Sequence, residues 1–377
     1  MTSMTQGGAA TNGRRRGLPV AQILLEGRAF FALIVVVVVF TLLSPNYLTV
    51  DNVLTMSSHV AIYALLALGM LLVVLNGGID LSVGSTLGLS GVLAGWLLQG
   101  VHVAGLGSTM YPAVWVVAVL CGLVGAFVGA VNGVLVARFG VAPFVATLGT
   151  LYVVRGTGLL KTNGLTYDNL GGRPQLGNTG FDWLGFNKLL GIPIGVLVMV
   201  VVAAVISVLL NRTVFGRWLY SSGGNERAAE LSGVPVRKVK IRVYVISGVC
   251  AATAGLILSS ELTSAGPTAG TSYELTAIAA VVIGGAALSG GRGNVRGTLL
   301  GAFVIGFLSD GLVIIGISSY WQTVFTGAVI VLAVLLNSAQ YGGRRRRRVT
   351  TDPPPGATGA EHELTDRDKA HEASTVG

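Results

Sequence analysis

"VVLNGGIDLSVGSTL", residues 73–87, sets a glycine pair and an aspartate inside an otherwise apolar run. An ionised carboxylate is costly near the centre of a bilayer, so Asp80 must lie away from that centre or be buried against protein. Gly77 and Gly78 permit a helix to break. Asp80 and Ser82 can then accept hydrogen bonds from the N–H groups that open the next helix. This capping reading is preferred over direct contact with a solute. The two are compatible, because broken helices line cavities inside membrane bundles.

The composition around that stretch settles the class. The 377 residues are 52% hydrophobic and 11% charged, with a mean hydropathy of +0.73. Soluble domains carry about 25% charged residues, so a water-soluble core protein is excluded. Fifty-five glycines suit helices that pack closely through small residues. The expected fold is an all-α polytopic membrane protein of about ten transmembrane helices, some broken or re-entrant. Cys121 and Cys250 lie in apolar tracts and read as packing residues. The four histidines show no ligand spacing, so no metal site is expected.

Apolar tracts long enough to cross a bilayer fall near 29–43, 53–75, 79–98, 112–136, 141–160, 190–210, 241–260, 275–289, 297–316 and 320–337. "RRR" at 14–16 followed by "FFALIVVVVVF" resembles a signal peptide. No small-x-small cleavage site follows, so an uncleaved first helix is the better reading. Placing both termini in the cytoplasm puts Arg14, Arg15, Arg16, Arg28, Arg138, the cluster from Arg212 to Arg242, Arg292, Arg296 and "RRRRR" at 344–348 on that side. Only Arg155, Lys161, Arg173 and Lys188 then fall outside, as the positive-inside rule requires. The net charge of +9 is thus an orientation signal and not a nucleic-acid footprint.

Three regions follow: a cytoplasmic tail over 1–27, a transmembrane domain over 28–341 and a disordered cytoplasmic tail over 342–377. The last tail is proline-rich and acidic with few large apolar residues. Two internal echoes suggest an inverted repeat. "GAFVGAVNG" at 125–133 matches "GAFVIGFLSDG" at 301–311 in spans of opposite direction. "GGIDLSVG" at 77–84 matches "GGAALSGG" at 284–291, but these fall on the same side, so one simple repeat cannot contain both.

No G-x-x-x-x-G-K-[ST] occurs, and "GGRGNVRG" at 290–297 reads as a turn between spans. Ser-His-Asp and metal constellations are likewise missing, so the chain reads as a conduit and not a catalyst. The longest cytoplasmic segment, 212–242, contains "GGNERAAELSGVP". Asn225 is an N-cap, Glu226 suits the positive helix end, and Gly233 with Pro235 is a stop. A helix over 226–232 is predicted, too short to be stable alone. Ala228, Ala229 and Leu231 give it an apolar side. By these residues alone it is either a docking element or an ordinary surface helix.

"LNGGIDLSVGS", "FGRWLYSSGGNERAAELSGVPVRKVKI" and "ELTAIAAVVIGGAALSGGRGNVRGTLLGA", in that order, resemble the ribose-type permeases of bacterial ABC import systems. The similarity runs from about residue 28 to 337. It implies a bacterial cytoplasmic-membrane location, a homodimer or a pair with a related permease, and two further partners. These are a separate ATPase, which holds ATP and magnesium, and an extracytoplasmic sugar-binding protein. It also implies that 225–233 docks on the ATPase, with Ala228, Ala229 and Gly233 matching the A-A-x-x-x-G core of the importer motif. The later Leu-Pro of that motif is missing. Related branched-chain amino acid permeases lack a GGIDLS stretch, which favours a sugar.

Four polar positions are candidates for the substrate pathway or its gating: Asp80, Ser82, Asn132 and Asp310. Asn132 and Asp310 each precede a glycine within a span, and neither suits lipid. Glu261 and Glu274 bracket "LTSAGPTAGTSY", read as an outside loop with solvated carboxylates, and Trp321 as an interface belt residue. A small sugar needs neutral donors and acceptors along its path but no tight trap. The alternatives are a branched-chain amino acid permease and an ion-coupled transporter using Asp80 or Asp310.

Overall fold

The computed structural model describes residues 27–103, 107–318, 320–329, 331, 332 and 335. Helices end where proline, asparagine or glycine interrupts an apolar tract. Helix α1 (Arg28–Leu43) stops before Ser44 and Pro45, and α2 (Val50–Leu75) stops before Gly77, whose φ is +80°. Helix α3 (Val83–Gln99) ends at Gly100, also at positive φ. Helix α4 (Val114–Ala137) precedes α5 (Pro143–Thr162), which has proline in its first turn and the left-handed Asn163 as its C-cap. After the short α6 (Trp183–Phe186) come α7 (Ile194–Arg212), α8 (Val214–Gly224) and α9 (Glu226–Leu231). Helices α10 (Val236–Glu261), α11 (Tyr273–Ile283) and α12 (Val295–Ile314) complete the bundle. Two short antiparallel ribbons, 101–103 with 108–110 and 188–189 with 192–193, lie in the connections.

Among the described residues six helices (α2, α4, α5, α7, α10 and α12) are long and apolar enough to cross a membrane, and α1, α3 and α11 are shorter apolar helices. The fold is all-α and polytopic, as its composition requires. Residues 320–329 are helical, and most of the remaining 320–337 span lies outside the described residues. So do residues 1–26 and 342–377, with the arginine runs at 14–16 and 344–348. Two expected spans are shorter than their hydropathy. The 275–289 tract is helical only to Ile283, because Gly285 adopts φ +92°. At about 16 Å, α11 is a half-span. The 79–98 tract starts its helix at Val83, leaving 78–80 irregular.

Helix α2 is the hub. From Val60 to Leu75 every residue but Tyr63 is buried, so protein and not lipid surrounds it. Helix α10 lies beside it, antiparallel, with Gly69 of α2 packed against Ser247 and Cys250. Helix α4 meets α10 along Gly125, Gly129 and Gly133. A Cβ on Gly125 would strike the Gly248 carbonyl, and one on Gly133 would strike the Ile241 backbone. Such backbone-to-backbone contact is how membrane helices gain packing energy without a hydrophobic drive.

The echo motifs lie in α4 and α12, which run in opposite directions: α4 is antiparallel to α10, whereas α12 is antiparallel to α2 and so parallel to α10. The other two echoes, 77–84 and 284–291, abut at one end, where Gly290 packs against Gly77.

One connection departs from expectation. Residues 262–272 do not loop outside but descend along α3. A methyl at Gly91 would touch Ala265, one at Gly88 the Ala269 carbonyl, and one at Gly84 the Gly270 carbonyl. Helix α11 therefore begins inside the bundle, and Glu274, expected as a solvated loop carboxylate, lies over Gly84. Glycines along α3 remove the side chains that would otherwise keep this strand of backbone out.

Candidate functional site

Asp80 is 1% exposed, and its carboxylate is fully engaged by protein. Oδ1 accepts from the Ser82 N–H at 3.0 Å and from the Ser82 hydroxyl at 2.7 Å, and Oδ2 accepts from the Ser247 hydroxyl at 3.0 Å. Asn132 Nδ2 of α4 donates to Ser82 Oγ at 2.8 Å. Thr147 of α5, also buried, places its hydroxyl 3.2 Å from the Ile79 carbonyl. The broken stretch thus ties α3 to α4, α5 and α10. Asp80, Ser82 and Asn132 come together; Asp310 does not join them.

Asp80 holds the N–H two residues ahead, at the start of α3. Ser82 does not cap, contrary to expectation. It already has helical φ and ψ (−81°, −7°), which turns its hydroxyl towards Asp80 and not onto the next N–H groups. Ser247 and Thr147 were not singled out from the sequence. The available signal was a polar residue within an apolar span, beside small neighbours at Gly248 and Ala146. That signal does not say which distant helix is met.

Below this network three glycine-containing turns converge. The Gly291 N–H donates to the Leu75 carbonyl at 2.9 Å, and any Cβ on Gly223 of α8 would collide with that same carbonyl. Asn76 Nδ2 donates to Ser222 Oγ at 3.0 Å, and Tyr220 Oη donates to the Gly293 carbonyl at 2.8 Å. Burial pushes the Tyr220 pKa up, so this hydroxyl keeps its proton as donor. Helix α8 is thereby seated on the end of α2.

Helix α9 follows at once. Asn225 accepts the Ala228 N–H at 3.0 Å, and Gly233 (φ +81°) turns the chain so that the Val234 N–H reaches the Ala229 carbonyl. Glu226 pairs with Lys240 of α10 at 2.7 Å. Ala229 is 2% exposed, whereas Ala228 is exposed and Leu231 is 79% exposed. The apolar side therefore splits: Ala229 anchors the helix to the bundle, and Leu231 points away from it. Helix α8 was not anticipated within 212–242, although Thr213 caps it by accepting the Gly216 N–H.

Asp310 lies at the far end. Its Oδ1 is 3.0 Å from His59 Nδ1, and its Oδ2 has no hydrogen-bond partner. His59 stands sixteen residues before Leu75, about 24 Å along α2. His59, Tyr63, Lys188, Glu261, Tyr273 and Asp310 face a cavity of about 560 Å³. Glu261, expected on a solvated loop, is the last residue of α10 and faces that cavity. Trp321 is 59% exposed beside Phe325. Among the described residues no group of three or more His, Cys, Asp or Glu side chains is placed to hold a metal ion.

Apolar spans around a buried helix break, with a short capped helix projecting at one end, define a multi-pass membrane protein. The chain belongs to the family described as branched-chain amino acid transport system / permease component, which matches residues 52–334. It is 42% identical over 323 residues to the ribose import permease protein RbsC of Escherichia coli K12, covering 84% of this chain and 94% of that one. It is 45% identical over 310 residues to RbsC of Bacillus subtilis 168, covering 82% and 91%. The galactose/methyl galactoside import permease protein MglC of Escherichia coli K12 is 35% identical over 330 residues, covering 84% and 95%. No solved structure matches the chain.

Proposed function

We propose that this chain is the membrane subunit of a bacterial importer that carries a ribose-like monosaccharide into the cell, powered by a separate ATPase. Two copies, or one copy and a related permease, enclose a central pathway. A binding protein outside the membrane delivers the sugar, and ATP and magnesium are held by the ATPase. The relatives named for ribose and galactose, matched over nearly their whole lengths, support the sugar class over an amino acid. The concentration of Arg212, Arg217, Arg227, Arg237, Lys238, Lys240 and Arg242 in 212–242 supports placing that end in the cytoplasm.

The observation that carries the ATP-driven part is the seat of α8 and α9 on the helix break. Leu231 is presented outward for a partner, while Gly223 presses on the end of α2. A push on α9 reaches Leu75 and the Asp80 turn through rigid backbone contacts. Movement of that turn shifts the pathway between inward- and outward-facing states.

Reconstituting the chain with its ATPase and binding protein tests the reading. Labelled ribose should accumulate only with ATP, and excess leucine should not compete. Accumulation by the chain without the ATPase would overturn the mechanism. Leu231→Glu should leave the permease folded yet lower ATPase recovery on affinity purification by tenfold or more. Undiminished recovery would remove α9 from the docking surface.

A further inference from the structure

The descending connection lies at a depth where irregular backbone is normally forbidden. Arg155 of α5 stands seven residues, about 10 Å, inside the end of its helix. Tyr63, whose ring meets Tyr273 at 5.1 Å, is thirteen residues, about 20 Å, into α2. Between these levels residues 266–272 form no regular structure, and Thr268, Thr271 and Ser272 are exposed on the single chain. Non-helical backbone at membrane depth persists only where protein buries it or where it lines a water-filled cavity. Irregular backbone that carries exposed hydroxyls fits the lining of a watery path better than a lipid-facing position.

The wall is braced by charge. Arg155 Nη1 donates to Thr271 Oγ1, and the Glu274 carboxylate lies over Gly84, within electrostatic reach of Arg155. Arg155 Nε and Glu274 Oε2 are each buried without a hydrogen-bond partner. The opposite charges offset one another, and the surface they support displays hydroxyls without net charge. Helix α5, which contributes Arg155 and packs Gly158 against Pro267, has the lowest hydropathy of the six long spans and is mostly uncovered by the rest of the chain.

We infer that residues 266–272 form the wall of the pathway that touches the passing sugar, with Thr268 and Ser272 exchanging hydrogen bonds with its hydroxyls, while Thr271, which donates to the Thr268 carbonyl, holds the turn. Arg155 is a positioning residue that fixes Thr271. The ligand class is a neutral polyhydroxylated ring: hydroxyls both donate and accept, and no exposed charge is offered to an amino-acid zwitterion. This rests on the sugar-importer reading and adds the residues that contact the cargo.

The test uses the complete complex in vesicles, with Thr268→Cys and Ser272→Cys made singly. Cys121 and Cys250 are buried and leave a quiet background. Val201→Cys on the open face of α7, at comparable depth, is the lipid-facing control. A charged, water-soluble methanethiosulfonate should label the two wall positions at least tenfold faster than Val201→Cys, and ribose delivered by the binding protein should slow that labelling. Thr268→Val should raise the transport KM for ribose about five- to tenfold at unchanged ATP turnover, and Thr268→Ser should restore it, as expected for one lost hydrogen bond. Labelling no faster than the control, in a complex that imports ribose normally, overturns the wall and spares the importer. Failure of the unmutated complex to import any sugar while it imports leucine overturns the sugar reading itself.

Discussion

The two ends of this bundle treat an aspartate in opposite ways. At the end that carries α9, Asp80 receives hydrogen bonds from Ser82 and Ser247, and four separate helices close around the stretch. At the far end Asp310 has His59 alone, a vacant second oxygen and a cavity beside it. A carboxylate saturated by fixed dipoles is part of the scaffold. One with a single, half-exposed partner is free to exchange it. The end that carries α9 is therefore the stiffer of the two, and the far end the more easily rearranged.

Asp80→Leu should have the largest effect. It strips three hydrogen bonds from a fully buried site, each to a charged group worth about 1.5–3 kcal/mol, and leaves the Ser82 and Ser247 donors stranded. No monodisperse permease should be recovered on size-exclusion chromatography. Asp80→Asn, which still caps, should fold with a lowered Tm. Normal assembly of the leucine variant would erase the contrast between the two ends.

Gly223→Val comes next, since any Cβ there meets the Leu75 carbonyl. Transport per ATP hydrolysed should fall at least tenfold while the ATPase stays bound. Retained coupling would show that the contact is soft. Asn225→Ala removes the α9 cap at a cost of about 0.5–2 kcal/mol, which should appear as faster amide exchange over 226–231.

The smallest effect belongs to Asp310→Asn. A pair with one half-exposed partner and a cavity beside it contributes little, about 0–1 kcal/mol where solvent reaches it, and His59 is 46% and Asp310 17% exposed, so thermal stability should move far less than for Asp80→Leu. A loss of stability matching that of Asp80→Leu would make the far end as rigid as the end that carries α9.

What the sequence disclosed follows from the range of the signals. Span positions were legible because a bilayer demands length and apolarity in one continuous segment. The α9 cap and stop were legible because Asn225, Glu226 and Gly233 lie within a few residues of what they hold. Hydropathy could not separate α2, wrapped in protein, from α7, largely uncovered, because lipid and protein interior reward the same side chains. The 262–272 connection read as an outside loop because its glycines, threonines and serines are those of solvent turns. Only the glycine track along α3 reveals where it goes. Ser247 was invisible because its partner lies 167 residues away.

That last separation bears on manufacture in the cell. Ribosomes add about 5–20 residues per second, so Asp80 waits some 8–33 s before Ser247 has even been made. Through that interval the nascent protein holds an acid sheltered by Ser82 alone and a bare central rod, and the insertion machinery must guard both until the seventh apolar tract, 241–260, arrives.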